Sequence, residues 1–160
     1  MGDTPTNLIT PAGFAALQAE HHRLFSIERP KMVEIVSWAA GNGDRSENGD
    51  YLYGRKRLRE IDRDLNRLTK RMKSARIVDP TTQPDKQRVW FGATVTIVDE
   101  DDVERTLTLV GVDEADAGGG RISWNAPIAR ALRGAAVGDV RRVELPAGVR
   151  ELEVVTIDYP

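Results

Sequence analysis

The 160-residue chain contains no cysteine, few aromatic residues and no long apolar run. The absence of cysteine excludes disulfides, thiolate catalysis and cysteine-based metal sites, and it is compatible with a reducing compartment. No stretch reaches the ~18 consecutive apolar residues of a membrane-spanning helix, and no apolar run near Met1 fits a signal peptide. We therefore expect a cytoplasmic protein with no membrane partner.

Charge is balanced in total but not along the chain. The formal net charge is −2, which by itself does not indicate a nucleic-acid partner. Residues 51–76, however, contain ten lysines and arginines against three acids, whereas acids outnumber bases after Pro84. Such an asymmetry is more informative than the total charge of the chain.

Two helical patterns occupy the first half of the chain. The first begins at Thr10-Pro11, an N-cap followed by proline at the first helical position, and ends at Gly41-Asn42-Gly43. Its apolar face is expected to comprise Phe14, Leu17, Leu24, Met32, Ile35 and Trp38, with His21 between the leucines. Pro30 lies inside this pattern and should kink the helix or divide it in two.

The second pattern is a heptad seam of about three repeats. Its members recur at steps of three and four residues: Tyr51, Gly54, Leu58, Ile61, Leu65, Leu68, Met72 and Ala75. At ~1.5 Å per residue this helix would be on the order of 38 Å long. A seam this narrow needs a partner helix, and the short turn favours the preceding helix in an antiparallel hairpin, although a parallel homodimeric coiled coil is the alternative.

The chain changes character at residues 79–84, which read as a linker. Beyond it, β-rich runs are predicted at 88–98, 104–112, 121–123, 140–145 and 152–159, with turns at 99–102 and 118–120 and a short helix at 128–132. We therefore predict an α+β protein. A helical hairpin spans residues 1–79 with its tip near 42–50, a linker spans 80–84, and an antiparallel sheet with a short helix spans 85–160.

Two acids stand at the predicted tip of the hairpin. Asp44 and Glu47 are three residues apart, a helical spacing that places two carboxylates on one face. Their hard oxygen atoms suit Mg²⁺, which takes one or two protein carboxylates and keeps several waters. Two carboxylates do not close a metal site, so further ligands would have to come from elsewhere. The alternative is a capping box, with Asp44 as N-cap and Glu47 bonding back.

The helix that follows the tip is basic along the half nearest to the two acids. Arg55, Lys56, Arg57 and Arg59 have few acidic neighbours in sequence, and a row of such side chains suits phosphate contacts. Two acids at the end of a basic helix are the arrangement expected of a protein that binds a nucleic-acid backbone and holds a metal ion beside it. A merely solvated helix face is the alternative.

At these residues the sequence resembles the bacterial Gre transcript cleavage factors, and its long basic run is more similar to the GreB subtype than to GreA. The similarity is carried by residues 43–48 (Gly-Asp-Arg-Ser-Glu-Asn), Asp50-Tyr51, 56–63 and 68–72. Shorter matches extend it over nearly the whole chain, at residues 28–30, 77–79, 91–93, 122–123, 129–132 and 137–139.

The resemblance implies an N-terminal coiled-coil hairpin and a C-terminal FKBP-like domain. It also implies a monomeric partner of bacterial RNA polymerase that stimulates the polymerase's own nuclease and is not itself an enzyme. The C-terminal domain would dock at the rim of the secondary channel, and the hairpin would reach toward the backtracked RNA 3′ end. Asp44 and Glu47 match the two acids that help to hold the second catalytic Mg²⁺. Arg55, Lys56, Arg57 and Arg59 would contact RNA.

One departure from the family pattern lies in the expected docking loop. The family commonly has Asp-Ser-Pro where this chain has Asn125-Ala126-Pro127. We expect docking to be retained through Trp124, Asn125, Pro127 and Ile128, with Trp124 and Ile128 adding apolar contact. Two other functions remain open: a channel-occluding inhibitor of the same fold, which need not keep both tip acids, and a peptide-bond isomerase, which fold resemblance alone does not support.

Overall fold

The computed structural model describes residues 7–42 and 48–160, which form two compact units. The helical unit is Phe14–Ser74, and the sheet unit combines the residues up to Gly13 with Ala75–Pro160. Strand β1 (Asn7–Ile9) pairs in parallel with β2 (Ala75–Ile77), so both ends of the predicted 1–79 hairpin belong to the sheet unit. Within the described ranges, no helix is long and apolar enough to cross a membrane.

The first arm of the hairpin is helical from Pro11 to Ala40, in three consecutive segments. Helix α1 (Pro11–His22) continues into a π-helical turn (Arg23–Glu28) and then into α2 (Arg29–Ala40). The Arg29 N–H donates to the carbonyl of Leu24, five residues back. Pro30 lacks an N–H and would collide with a carbonyl in an ordinary α-helix. The wider turn just before it accommodates the proline, so the arm changes its hydrogen-bond pattern without a break in the helix.

The π-helical turn shifts the buried face of the first arm by one residue. Leu17 and Leu24 are buried seven residues apart, but the next buried residue on α2 is Ala39, fifteen residues after Leu24. Two ordinary heptads would have given fourteen. The expectation that Ile35 and Trp38 continue the apolar face was therefore wrong. Trp38 is 65% exposed, and Val36 and Ala39 are less exposed than Ile35 and Trp38.

The predicted antiparallel hairpin is confirmed by the second arm, α3 (Gly49–Ser74). All eight residues of the predicted seam are buried or half-buried, although Ala75 belongs to β2. Contacts between the arms run in opposite chain directions: Glu28 meets Arg57, Val36 meets Gly54 and Ala39 meets Asn48. The seam therefore has an internal partner, and the homodimeric alternative is not needed to bury it.

The sheet unit contains a five-stranded sheet of order β5-β4-β3-β7-β6. The strands are β3 (Thr94–Val98), β4 (Glu104–Val110), β5 (Arg121–Ser123), β6 (Val140–Leu145) and β7 (Gly148–Asp158). All pairs are antiparallel except β4 with β5, so the sheet is mixed and not purely antiparallel as predicted. The exception follows from the two 3₁₀ turns, Val112–Glu114 and Ala117–Gly119, which return the chain to the same direction before β5.

Helix α4 (Pro127–Leu132) packs against the sheet and encloses the core. Its Ala129 and Leu132 are fully buried with Val95, Leu109 and Val154 from the strands. Burial of such side chains stabilises the unit by roughly 25 cal/mol per Å² of apolar surface. The predicted linker is also ordered: Pro80–Thr82 forms a 3₁₀ turn that begins with an Asp79 side-chain cap.

Candidate functional site

Asp44 and Glu47, the expected catalytic and metal-binding acids, fall within residues 43–47 and lie outside the described residues. By chain position they belong to the connection between the end of α2 at Ala40 and the start of α3 at Gly49. Elsewhere in the described ranges, no group of three or more His, Asp or Glu side chains could hold a metal ion. The magnesium assignment therefore remains a prediction.

Asn48 ties together the two helix ends that flank this connection. Its Oδ1 accepts a hydrogen bond from the Tyr51 N–H at 3.1 Å, as an N-cap does at the start of a helix. Its Nδ2 donates to the Ala39 carbonyl at 2.6 Å, near the end of the opposite arm. The capping of α3 is thus performed by Asn48, whereas the capping-box interpretation assigned that task to Asp44.

The four predicted RNA-binding bases differ in their surroundings. Arg57 donates to Glu28 on the opposite arm through Nε at 2.7 Å and through Nη2, and it approaches Glu60 at 3.5 Å. Arg55 lies against Tyr51, bonded to its hydroxyl at 3.1 Å. Lys56 and Arg59 are exposed, and the described part of the chain shows no acid paired with either. Only these last two are fully free to meet a phosphate.

Lys56 and Arg59 begin a longer basic stripe on α3. The stripe consists of five exposed side chains at helical spacing, Lys56, Arg59, Arg63, Arg67 and Lys70. At 1.5 Å per residue these fourteen steps span about 21 Å. Arg63, Arg67 and Lys70 also line an open groove of about 390 Å³ on this helix. One face of α3 is therefore a continuous band of positive charge.

Glu28 is the acid that sequence analysis did not connect with the basic segment. Its carboxylate lies between Arg57 of α3 and Arg23, which donates to it through Nη1 at 2.7 Å. The hydrogen bond from Arg57 is the largest influence that lowers the pKa of Glu28, and Arg23 lowers it further against the opposing effect of burial. Arg29 pairs in the same way with Asp62 at 2.8 Å. These contacts hold the two arms in register.

The predicted docking residues lie on one loop and the start of α4. Trp124 is half-buried: its ring meets Phe91 edge-on at 5.9 Å, and the Arg133 guanidinium lies 4.0 Å above it. Ile128 is half-buried against the core, whereas Asn125 and Pro127 are exposed. Trp124 therefore supports the loop from beneath, and Asn125 and Pro127 are the side chains presented at the surface.

Two further residues were not found from the sequence. Arg133 donates from Nη2 to the Trp124 carbonyl at 2.6 Å and to Asn125 Oδ1 at 3.3 Å. Glu114 is buried and accepts hydrogen bonds from the Thr10 N–H at 3.1 Å, the Gly111 N–H at 3.0 Å and the Thr10 hydroxyl. Glu114 lies in an acidic stretch and Arg133 directly follows a short helix, and nothing in their spacing distinguishes either from a surface residue.

Comparison with known proteins adds independent evidence. Residues 7–77 match the model of the transcription elongation factor N-terminal domain, and residues 83–159 match that of the GreA/GreB C-terminal domain. The chain is 48% identical to transcription elongation factor GreB of Neisseria meningitidis serogroup B, over 99% of this chain and 98% of that protein. It is 45% identical to GreB of Pseudomonas aeruginosa, over 97% of this chain and 92% of the relative.

Two solved structures align over nearly the whole chain. A GreA/GreB factor from Nitrosomonas europaea shares 24% identity and a TM-score of 0.42, covering 98% of this chain and 100% of the other. The GreA factor homolog Gfh1 of Thermus thermophilus shares 22% identity and a TM-score of 0.43, covering 96% and 99%. The assignment rests on the domain models and the full-length relatives. The chain belongs to the GreA/GreB family of transcription elongation factors and is of the GreB type.

Proposed function

We propose that this elongation factor enters the secondary channel of bacterial RNA polymerase and stimulates the polymerase's own cleavage of backtracked RNA. The observation that carries the proposal is a helical hairpin whose two arms are joined, in sequence, by residues that include two acids, and whose second arm carries a stripe of exposed bases. The full-length similarity to GreB supports it. The polymerase provides the active site, and this chain acts on it as a monomer without hydrolytic chemistry of its own.

The donor set of the hairpin turn fits a shared magnesium ion. Asp44 and Glu47 offer carboxylate oxygens, the ligand type that Mg²⁺ prefers, and two such groups leave room for waters and for ligands from the polymerase. When bound, this second Mg²⁺ would supply an activated water and stabilise charge at the scissile phosphate. The two carboxylates would hold the ion and orient that water.

The basic stripe would hold the displaced RNA 3′ end. Lys56 and Arg59 are exposed and nearest in sequence to the acids, so they would contact RNA phosphates directly. Arg57 would act differently, because its guanidinium is held by Glu28. Arg55 stays against Tyr51 and would present the remaining guanidinium edge. Electrostatic contacts of this kind weaken as salt concentration rises.

Docking would be performed by the loop of the sheet unit that carries Asn125 and Pro127. Both side chains are exposed, and Trp124 and Ile128 fix the backbone beneath them. Asn125 stands where the family commonly has an aspartate. The loop therefore offers a neutral amide to the channel rim instead of a carboxylate.

The proposal is tested on stalled, backtracked polymerase complexes with 3′-labelled RNA and Mg²⁺. Addition of the protein should release short 3′ fragments and restore elongation. The alternative, a channel-occluding inhibitor, predicts slower nucleotide addition with no 3′ fragments. That second result, obtained with protein that binds polymerase, would reject stimulated cleavage.

A further inference from the structure

Arg133 links two features of the docking loop through one guanidinium group. Its Cζ lies over the Trp124 ring, 4.0 Å from the ring centre. Its Nη2 donates to the Trp124 carbonyl at 2.6 Å and to Asn125 Oδ1 at 3.3 Å. A guanidinium that stacks on an aromatic ring and donates at the same time is a rigid support.

The environment of Arg133 shows that this arrangement is specific. The Nε atom is buried and has no hydrogen-bond partner within the described residues, a cost that a freely mobile surface arginine would avoid. The Arg133 side chain nevertheless stays beneath the loop, because Trp124 and the two Nη2 bonds hold it there. Phe91 also meets the Trp124 ring edge-on, with the two ring centres 5.9 Å apart.

The contact with Arg133 determines which end of the Asn125 amide is available. Arginine can only donate hydrogen bonds, so the atom facing it must be Oδ1. The Nδ2 group is then the free end, and in the described part of the chain no acceptor is bonded to it. Asn125 is exposed, so the loop presents a hydrogen-bond donor to its surroundings.

We propose, building on the docking function proposed above, that Arg133 is a positioning residue that aims the Asn125 Nδ2 donor at polymerase. The polymerase surface that receives the loop then offers an acceptor there, either a carboxylate or a backbone carbonyl. Arg133 does not itself touch the partner. It acts by fixing Trp124 and by occupying Oδ1, and it thereby sets the specificity of the loop for an acceptor group.

The test measures the dissociation constant of the full-length protein for polymerase together with the concentration dependence of RNA cleavage. Asn125→Asp keeps an acceptor for Arg133 but replaces the donor by a second acceptor, so the dissociation constant should rise about tenfold. Arg133→Leu should raise it by a similar factor. Maximal cleavage at saturating protein should be unchanged for both, because the hairpin is intact.

Arg130→Leu is the matched control, because it removes an exposed arginine from α4, the helix that Arg133 directly follows, and should change the dissociation constant by less than about twofold. The near-ultraviolet circular dichroism spectrum, to which Trp38, Trp90 and Trp124 all contribute, should change in Arg133→Leu but not in Asn125→Asp. Asn125→Asp therefore tests the proposal even if Arg133→Leu is poorly folded. Wild-type affinity in Asn125→Asp, or equal effects of Arg133→Leu and Arg130→Leu, would overturn the proposal.

This experiment separates the two proposals. Binding of wild-type protein without release of 3′ fragments would reject stimulated cleavage. The dissociation constants of the variants relative to wild type would still test the positioning role of Arg133. Normal cleavage with unchanged affinity in Asn125→Asp would reject the role of Arg133 and leave stimulated cleavage in place.

Discussion

Arg57 on the second arm of the hairpin donates two hydrogen bonds to the Glu28 carboxylate on the first arm. Glu28 ends the π-helical turn that lies just before Pro30. The pair therefore joins the arms at the point where the buried face shifts by one residue. An arginine expected to meet RNA thus takes part in holding the hairpin in register.

The first prediction concerns the stability of the protein at low pH. Because Arg57, and then Arg23, lower the pKa of Glu28 in the folded state, the charged carboxylate stabilises the protein above the unfolded pKa of about 4.3. This stabilisation is lost as pH falls through the lower folded pKa. Glu28→Gln should cost about 1 kcal/mol at pH 7 and almost nothing near pH 2, as measured by thermal unfolding at both pH values. Glu34→Gln on the same arm of the hairpin is the control, and a loss from Glu28→Gln that is equal at both pH values would contradict a stabilising ion pair.

The second prediction concerns the close approach of the arms at Gly54. A Cβ at this position would lie 2.6 Å from Val36 Cγ2, and valine has little freedom to move aside. Gly54→Ala should therefore destabilise the hairpin by about 1 kcal/mol, since crowding outweighs the gain in helix propensity. Gly49→Ala on the same helix meets nothing within 4 Å and should be neutral or stabilising. Chemical denaturation would measure both, and equal stability changes would show that the arms can separate at no cost.

A third prediction concerns the buried Glu114. Its carboxylate accepts hydrogen bonds from Thr10 and Gly111, and Gly13 allows its close approach, because a Cβ there would lie 2.4 Å from Glu114 Cδ. Glu114→Ala would leave two backbone N–H groups without their partner and should cost about 2 kcal/mol in denaturant unfolding. Glu104→Ala, at an exposed strand position, should change stability by less than about 0.5 kcal/mol. Equal stability losses from both substitutions would show that the hydrogen bonds of Glu114 do not stabilise the fold.

The basic stripe gives the fourth prediction. Replacing Lys56 and Arg59 together by alanine should lower RNA cleavage several-fold at low salt, and the difference should shrink as salt increases, because phosphate contacts are screened. Replacing Arg142, an exposed base on β6, should have no such effect. Cleavage rates at two salt concentrations provide the measurement. An identical, salt-independent loss in both proteins would argue against direct phosphate contacts.

The heptad seam was enough to predict the hairpin, because a narrow apolar stripe on α3 can be buried only against a neighbouring helix. The shift at Ile35 and Trp38 was not predictable from spacing, because it depends on which hydrogen-bond pattern Pro30 induces upstream. The parallel pairing of β5 with β4 was also not predictable, because a strand of three residues is too short for its sequence to indicate its partner or its direction. Arg57 and Arg133 show the same limit at the site, since their acceptors, Glu28 and Asn125, are identified only by three-dimensional contacts.

Asp44 and Glu47, in the residues that connect the two arms, are proposed to complete a magnesium site on polymerase. The most direct measurement compares wild-type protein with Asp44→Asn and Glu47→Gln in cleavage of backtracked RNA at saturating protein and varied Mg²⁺. We expect both variants to bind polymerase with unchanged affinity and to lose at least about tenfold in maximal cleavage rate, part of which high Mg²⁺ restores. Full cleavage by both variants at every Mg²⁺ concentration would show that Asp44 and Glu47 do not hold the ion.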